Sequence, residues 1–206
     1  TGFTFEVPYY FNIAPNLDDT LTPRVMTDRG LQLKNEFRYL TSTSTGIVLL
    51  EGLADDKKTG ETRSAAQFTH NQQFGRLWSG HAHARWVSDD NYFIDMEDGS
   101  GQTALTHLPR QLQINYGGPV VRFSGRVAGY QTIDPTIPVA DRPYDLLPQL
   151  RLAADWPTGP NRLRYQINSE WTYFDRADSL TGQRLDLHPS LSWSLANRYA
   201  FFTPRV

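Results

Sequence analysis

The feature that most constrains this chain is a two-residue period sustained through long segments. Phe3, Phe5, Val7, Tyr9 and Phe11 alternate with Thr4, Glu6, Pro8 and Tyr10. Leu31, Leu33, Phe37 and Tyr39 alternate with Gln32, Lys34, Glu36 and Arg38. Trp78, Gly80, Ala82, Ala84 and Trp86 alternate with Ser79, His81, His83 and Arg85, and the same pattern returns around Val121–Val127, Leu163–Trp171 and Leu185–Leu195. Successive side chains on a strand point to opposite faces, so this alternation describes strands with one apolar and one wet face. About twelve strands are expected, near 3–11, 17–27, 31–40, 46–54, 62–71, 77–88, 104–115, 119–132, 146–155, 161–175, 184–195 and 199–205. Gly, Pro, Asn and Asp punctuate them. No stretch carries a helical period, and no composition shift marks a domain boundary.

Strand length separates the architectures. Soluble strands usually run about five or six residues, whereas a strand crossing a bilayer in a barrel needs about nine to eleven. Most of these segments run nine or longer. The mean hydropathy is −0.51, and the longest wholly apolar run in a strand is Ile47-Val48-Leu49-Leu50. That excludes a membrane-spanning helix but not a barrel, in which only every second residue meets lipid. Five Trp, ten Tyr and eleven Phe are many for so polar a chain. Several sit near strand ends (Phe3, Phe11, Trp78, Trp86, Trp171, Tyr173), as interfacial girdles do. The rival architecture is a soluble glycan-binding β-sandwich. Against it, the apolar faces carry small residues such as Gly80, Ala82, Ala84, Gly125 and Gly129, which fill a core badly. The expectation is an all-β fold: a partial, antiparallel transmembrane β-barrel, about twelve strands of a larger one. The absence of cysteine leaves no disulfide and no thiolate metal site, and a net charge of −2 does not point to nucleic acid. Thr1 follows no apolar leader, so any signal peptide or upstream domain is expected to lie outside this sequence.

The segment Val7-Pro8-Tyr9-Tyr10-Phe11-Asn12-Ile13-Ala14-Pro15-Asn16 is followed by Leu17-Asp18-Asp19-Thr20-Leu21-Thr22-Pro23. Then come Arg29-Gly30-Leu31-Gln32-Leu33 and Asn35-Glu36-Phe37-Arg38-Tyr39-Leu40, with Asn91-Tyr92-Phe93-Ile94-Asp95 further on. This succession resembles the opening of the barrel of the lipopolysaccharide-assembly family LptD. The resemblance implies a periplasmic jelly-roll domain followed by a larger barrel plugged by the lipoprotein LptE. It implies lipopolysaccharide arriving through periplasmic bridge proteins and leaving sideways, between the first and last strands, into the outer leaflet of a Gram-negative outer membrane. Residues 1–206 would then be the N-terminal portion of the barrel domain, with the jelly-roll and the remaining strands absent. Membrane lipid would be a further partner, no cofactor is implied, and no nucleotide motif suggests an energy source within the chain. A passive porin or a barrel enzyme is the alternative among membrane readings.

Two prolines stand out because each interrupts a strand pattern. Proline gives the ladder no N–H, so it is tolerated at edges, bulges and strand starts. By resemblance, Pro8 and Pro23 match the family's gate prolines, and the expected lateral gate comprises Val7, Pro8, Tyr9, Tyr10, Phe11, Asn12 and Pro23. The plain alternative puts Pro8 near an edge and Pro23 near a bulge, with no gating. If the apolar side chains face lipid, then Glu6, Lys34, Glu36, Arg38, His81, His83, Arg85, Arg122, Arg126, Arg162, Arg164 and Glu170 line the lumen. There the arginines could pair with phosphate in a fork geometry or simply form cross-strand charge pairs. His81 and His83 share a strand face, but no third ligand has recognisable metal spacing, so a polar lumen is preferred to a metal site. Ser and His occur without a catalytic motif. The acidic stretch Asp89, Asp90, Asp95, Glu97 and Asp98 lacks a calcium-loop register and reads as a solvated loop. If the N-terminus starts in the periplasm, the longer connections, 89–103 and 133–145, fall on the periplasmic side.

Overall fold

The structure is a computed structural model that describes residues 2–96, 105–156, 163–177, 179–196 and 199–205. The strands are β1 (Thr4–Glu6), β2 (Tyr9–Ala14), β3 (Leu17–Met26), β4 (Gly30–Leu40), β5 (Ser44–Leu53), β6 (Arg63–Gln73) and β7 (Trp78–Val87). They continue as β8 (His107–Gly117), β9 (Val121–Thr132), β10 (Asp145–Trp156), β11 (Leu163–Asp175) and β12 (Gly182–Trp193). All of these join one antiparallel sheet in chain order, β1 and β2 both pairing with β3. The sheet does not close on itself. It is the wall of a partial β-barrel, and among the described residues no helix is long and apolar enough to cross a membrane.

Register carries the alternation from strand to strand. Arg24 lies opposite Gln32, Gln32 opposite Leu53, and Leu53 opposite Arg63, on one face. Phe37, Val48 and Phe68 lie opposite one another on the other. One face therefore collects most of the charge and the other most of the exposed apolar side chains, including Phe5, Tyr9, Phe11, Leu31, Leu33, Leu50, Leu112, Leu185 and Leu187. Connections 15–16, 41–43, 74–77 and 118–120 fall at one end of the sheet, and the longer 54–62, 88–106 and 133–144 fall at the other together with the short 27–29. At residues 41–43 the Thr41 hydroxyl accepts the N–H groups of Thr43 and Ser44, a local closure that needs no glycine. Gly30 is different. Its φ of +120° is disfavoured for residues with a side chain, and a Cβ there would lie 3.1 Å from the Asp55 carbonyl oxygen.

Three expectations change. The long 88–106 connection contains a helix, α1 (Tyr92–Met96), although no helical period announces it. The strand expected at 199–205 shrinks to a two-residue β14 (Phe201–Phe202) paired with β13 (Leu195–Ala196), with one bridge from Arg205 to Ser192. The first expected strand is split at Val7–Pro8.

Candidate seam and charged-face site

The split in the first strand has a local cause. Register runs unbroken across it: Glu6 faces Arg24 below and Tyr9 faces Leu21 above, so Val7 falls opposite Pro23 and Pro8 opposite Thr22. Val7 N–H donates to the Pro23 carbonyl at 3.2 Å, and Thr27 N–H donates to the Phe3 carbonyl at 3.1 Å. Odd-numbered residues of this strand thus direct their backbone groups at β3. In such an antiparallel pair Pro23 should return a bond to Val7, but it has no N–H to give. Since backbone direction alternates, the ring nitrogen of Pro8 faces the other way, toward the free edge of the sheet. The two prolines delete one donor from each side of the first strand. Pro23 sits at no bulge, because β3 pairs with β4 without a register shift from Leu17 to Met26. Pro8 is on the edge strand, and the expected gate residues Tyr9, Tyr10, Phe11 and Asn12 form most of β2. The rings of Tyr9 and Phe11 meet edge to face at 4.6 Å on the apolar face. That face is not wholly apolar near the seam: Asn35 donates to Asp19 at 2.6 Å there, a pair the alternation did not announce.

The expected lumen residues share the charged face, with Arg162 outside the described residues. Glu6 is ion-paired to Arg24 at 2.9 Å and to Lys34 at 3.2 Å. Arg38 holds Asp18 in a fork at 2.7 and 3.1 Å, with Glu36 at 3.6 Å. Arg164 pairs with Asp155. Glu170 gathers Arg151 at 2.8 Å and Arg184 at 2.7 Å. His81 bonds Asn71 and His83 bonds Thr69 across the β6–β7 pair. Arg85 lies over the Phe93 ring at 5.4 Å. Arg122 and Arg126 lie opposite Ala153 and Gln149.

The long-connection end carries the most buried chemistry, and α1 builds it. Tyr92, Phe93 and Met96 pack on Met26, Leu53, Val87, Leu108 and Ile133. Around this plug, Arg63 binds Asp89 at 2.6 Å, Asp95 at 2.6 Å and Asp56 at 3.2 Å. Arg29 binds Asp56 at 2.6 Å and Asp95 at 2.8 Å. Burial pushes the Asp56 carboxyl up, but the Lys58 N–H, Arg63 and Arg29 outweigh it and hold the group below the ordinary aspartate range. Asp89 is held down in the same way: burial is outweighed by Arg63 and Ser88. Burial and the Glu51 carboxylate raise the Tyr92 phenol, so it stays protonated and donates to Glu51 at 2.7 Å, while Gln32 donates to both. Arg24 donates to the Met96 carbonyl at 2.6 Å and so connects α1 to Glu6 of the first strand. The solvated acidic loop expected at 89–98 is therefore corrected at Asp89 and Asp95, which are fixed by arginines; Glu97 and Asp98 lie outside the described residues. Beside the plug, β7–β8 pairing stops at Ala84–Arg110. The Gln131 amide takes over the ladder, accepting Val87 N–H at 3.2 Å and donating to its carbonyl at 2.8 Å.

A family model described as LPS transport system D matches residues 61–206. The chain belongs to the LptD family. Among its relatives, the LPS-assembly protein LptD of Alcanivorax borkumensis is 37% identical over 212 residues, covering 100% of this chain and 28% of the relative. That of Azoarcus sp. strain BH72 is 38% identical over 211 residues (100% and 26%), and that of Nitrosococcus oceani 36% over 208 residues (100% and 28%). The chain spans between a quarter and a third of the length of these LptD relatives, and in all three the similarity runs through the first sixty residues, which hold both prolines.

Proposed function

We propose that this chain forms the leading wall of a Gram-negative outer-membrane translocon that inserts lipopolysaccharide into the outer leaflet through a lateral gate at its first strands. On this reading the apolar face meets acyl chains and the charged face lines a watery lumen. The observation that carries it is the paired loss of donors at Pro8 and Pro23. An unpaired backbone group facing lipid costs several kcal/mol, so a strand short of donors on both sides makes a seam that separates at lower cost. Val7, Pro8, Tyr9, Tyr10, Phe11, Asn12 and Pro23 form the gate. The partners are lipopolysaccharide, membrane lipid, the lipoprotein LptE as plug, and periplasmic bridge proteins reached through a jelly-roll domain. The role is non-enzymatic, with transport energy supplied from outside.

The test uses the full-length protein with its lipoprotein partner in proteoliposomes. A disulfide joining β2 to the barrel's closing strand should stop lipopolysaccharide delivery under oxidising conditions, and reductant should restore it. Delivery at the same rate in both states would overturn the lateral-gate reading.

A further inference from the structure

Charge on the inner face of this wall is unevenly distributed. Strands β3, β4, β5, β10, β11 and β12 each contain at least one Asp or Glu. The four consecutive strands β6, β7, β8 and β9 contain none, yet hold Arg63, Arg85, Arg122 and Arg126 on that face, although the whole chain carries a net charge of −2. Two of the four are accounted for. Arg63 is neutralised from the connections, and Arg85 lies over Phe93. Arg122 and Arg126 are not. Neither has a carboxylate within ion-pairing distance among the described residues, and the Arg126 Nε is buried without a hydrogen-bond partner. A buried, unsatisfied charged donor costs more than a neutral one. Arg122 borders a hollow of about 650 Å³ on the charged face, lined also by Ser124, Arg151, Asn168, Glu170 and His188.

We infer that Arg122 and Arg126, two steps apart on the same face of β9 with Ser124 between them, form an anion-binding step for the phosphate or carboxylate groups of a saccharide passing the lumen. This rests on the proposed reading of the charged face as the transport lumen. Four residues of strand separate the arginines' Cα atoms by about 13 Å, so each serves its own oxyanion, while hydroxyls of the sugar meet Ser124 and Asn168. The guanidinium fork suits either anion bidentately. Arg151 and Arg164 are closed by direct ion pairs to Glu170 and Asp155; Arg122 feels the Asp155 carboxylate only at a distance, and neither it nor Arg126 makes a direct ion pair among the described residues, which leaves both open to a mobile ligand.

The experiment places the photoreactive residue p-benzoylphenylalanine at Ser124 in the full-length protein in cells, with a second probe at Asn168. Irradiation should give a lipopolysaccharide adduct at Ser124. R122E/R126E should lower its yield about tenfold or more, and R122K/R126K should retain most of it. Both variants must still migrate as folded barrels on unheated gels. Adduct at Asn168 but none at Ser124, an adduct at Ser124 only with a protein such as the plug and not with lipopolysaccharide, or a yield indifferent to the charge reversal, would each overturn the inference alone. Absence of lipopolysaccharide adduct at both positions would overturn the transport-lumen reading beneath it. Mutant cells supplied with lipopolysaccharide lacking core phosphates should show the Ser124 adduct fall if phosphate is the anion, and hold if the sugar carboxylates are.

Discussion

Val7 donates its N–H to the carbonyl of Pro23 at 3.2 Å, and Pro23 cannot return the bond. The break between β1 and β2 is the consequence, yet register continues through it. The first strand is therefore aligned but under-bonded, a combination that keeps the seam in place while lowering the cost of parting it.

Restoring the donors should tighten the strand. Pro23→Ala adds one possible bond to the β3 ladder, worth about 0.5–1.5 kcal/mol, and Pro8→Ala adds one donor to the free edge. The double variant should raise resistance to thermal unfolding of the full-length barrel and slow lipopolysaccharide delivery, with each single variant between it and the parent. Delivery measured at the surface of intact cells checks this. Tighter folding with unchanged delivery would separate the prolines from transport.

The run Ile47-Val48-Leu49-Leu50 offers a sharp comparison, because hydropathy cannot tell its members apart. Register can: Val48 lies between Phe37 and Phe68, whereas Leu49 lies between Glu36 and Gln67. Val48→Arg should cost about 2–4 kcal/mol when the full-length barrel refolds into lipid vesicles from urea, as charge on a lipid-facing mid-strand position does. Leu49→Arg should cost much less. Equal costs would contradict the assignment of faces.

Removing the hub of the end plug should be severe. Arg63→Ala leaves Asp56 and Asp95 with Arg29 alone and Asp89 with no arginine, and breaking a buried pair typically costs about 3–5 kcal/mol. Protease should then cut within residues 88–96 of the folded barrel faster than it does in the parent. Arg63→Lys should not rescue fully, because one ammonium cannot reproduce the fork to Asp89 and the bond to Asp95 at once.

The same cluster sets an acid limit. Asp56 and Asp89 are held below the ordinary aspartate value of 3.8, so the unfolded chain takes up protons first as pH falls. Their contribution is whole above that value and is lost as pH drops below it through the folded values. Protease resistance of residues 88–96 should be constant from neutral pH down to about 5 and fail only under stronger acid. Loss between pH 5 and 7 would contradict the ion-paired plug.

Much of this was legible in the residues, because a period of two states both strand and face at once. Lys34, Arg38, Arg122 and Glu170 could be put on one face from spacing alone. The helix at Tyr92–Met96 could not: five residues carry no stable periodicity, and this helix exists because Tyr92 and Met96 dock between strand ends distant in sequence. Arg63 likewise gave no local sign that three aspartates from two connections converge on it. Pro23 was ambiguous for a different reason. Spacing shows an interruption, but only register shows that the missing N–H faces Val7 rather than a bulge. Asp19 and Asn35 defy the alternation, and their mutual bond is visible only once β3 and β4 are side by side.

The most direct test asks where the lipid part of the substrate touches this wall. In living cells making lipopolysaccharide, a photoreactive side chain at Phe11, on the apolar face of the first strand, should capture it, while one at Phe68, on the same face of β6, should not. Capture at Phe68 equal to that at Phe11, or none at Phe11 despite ongoing delivery, would contradict an exit at the first strand.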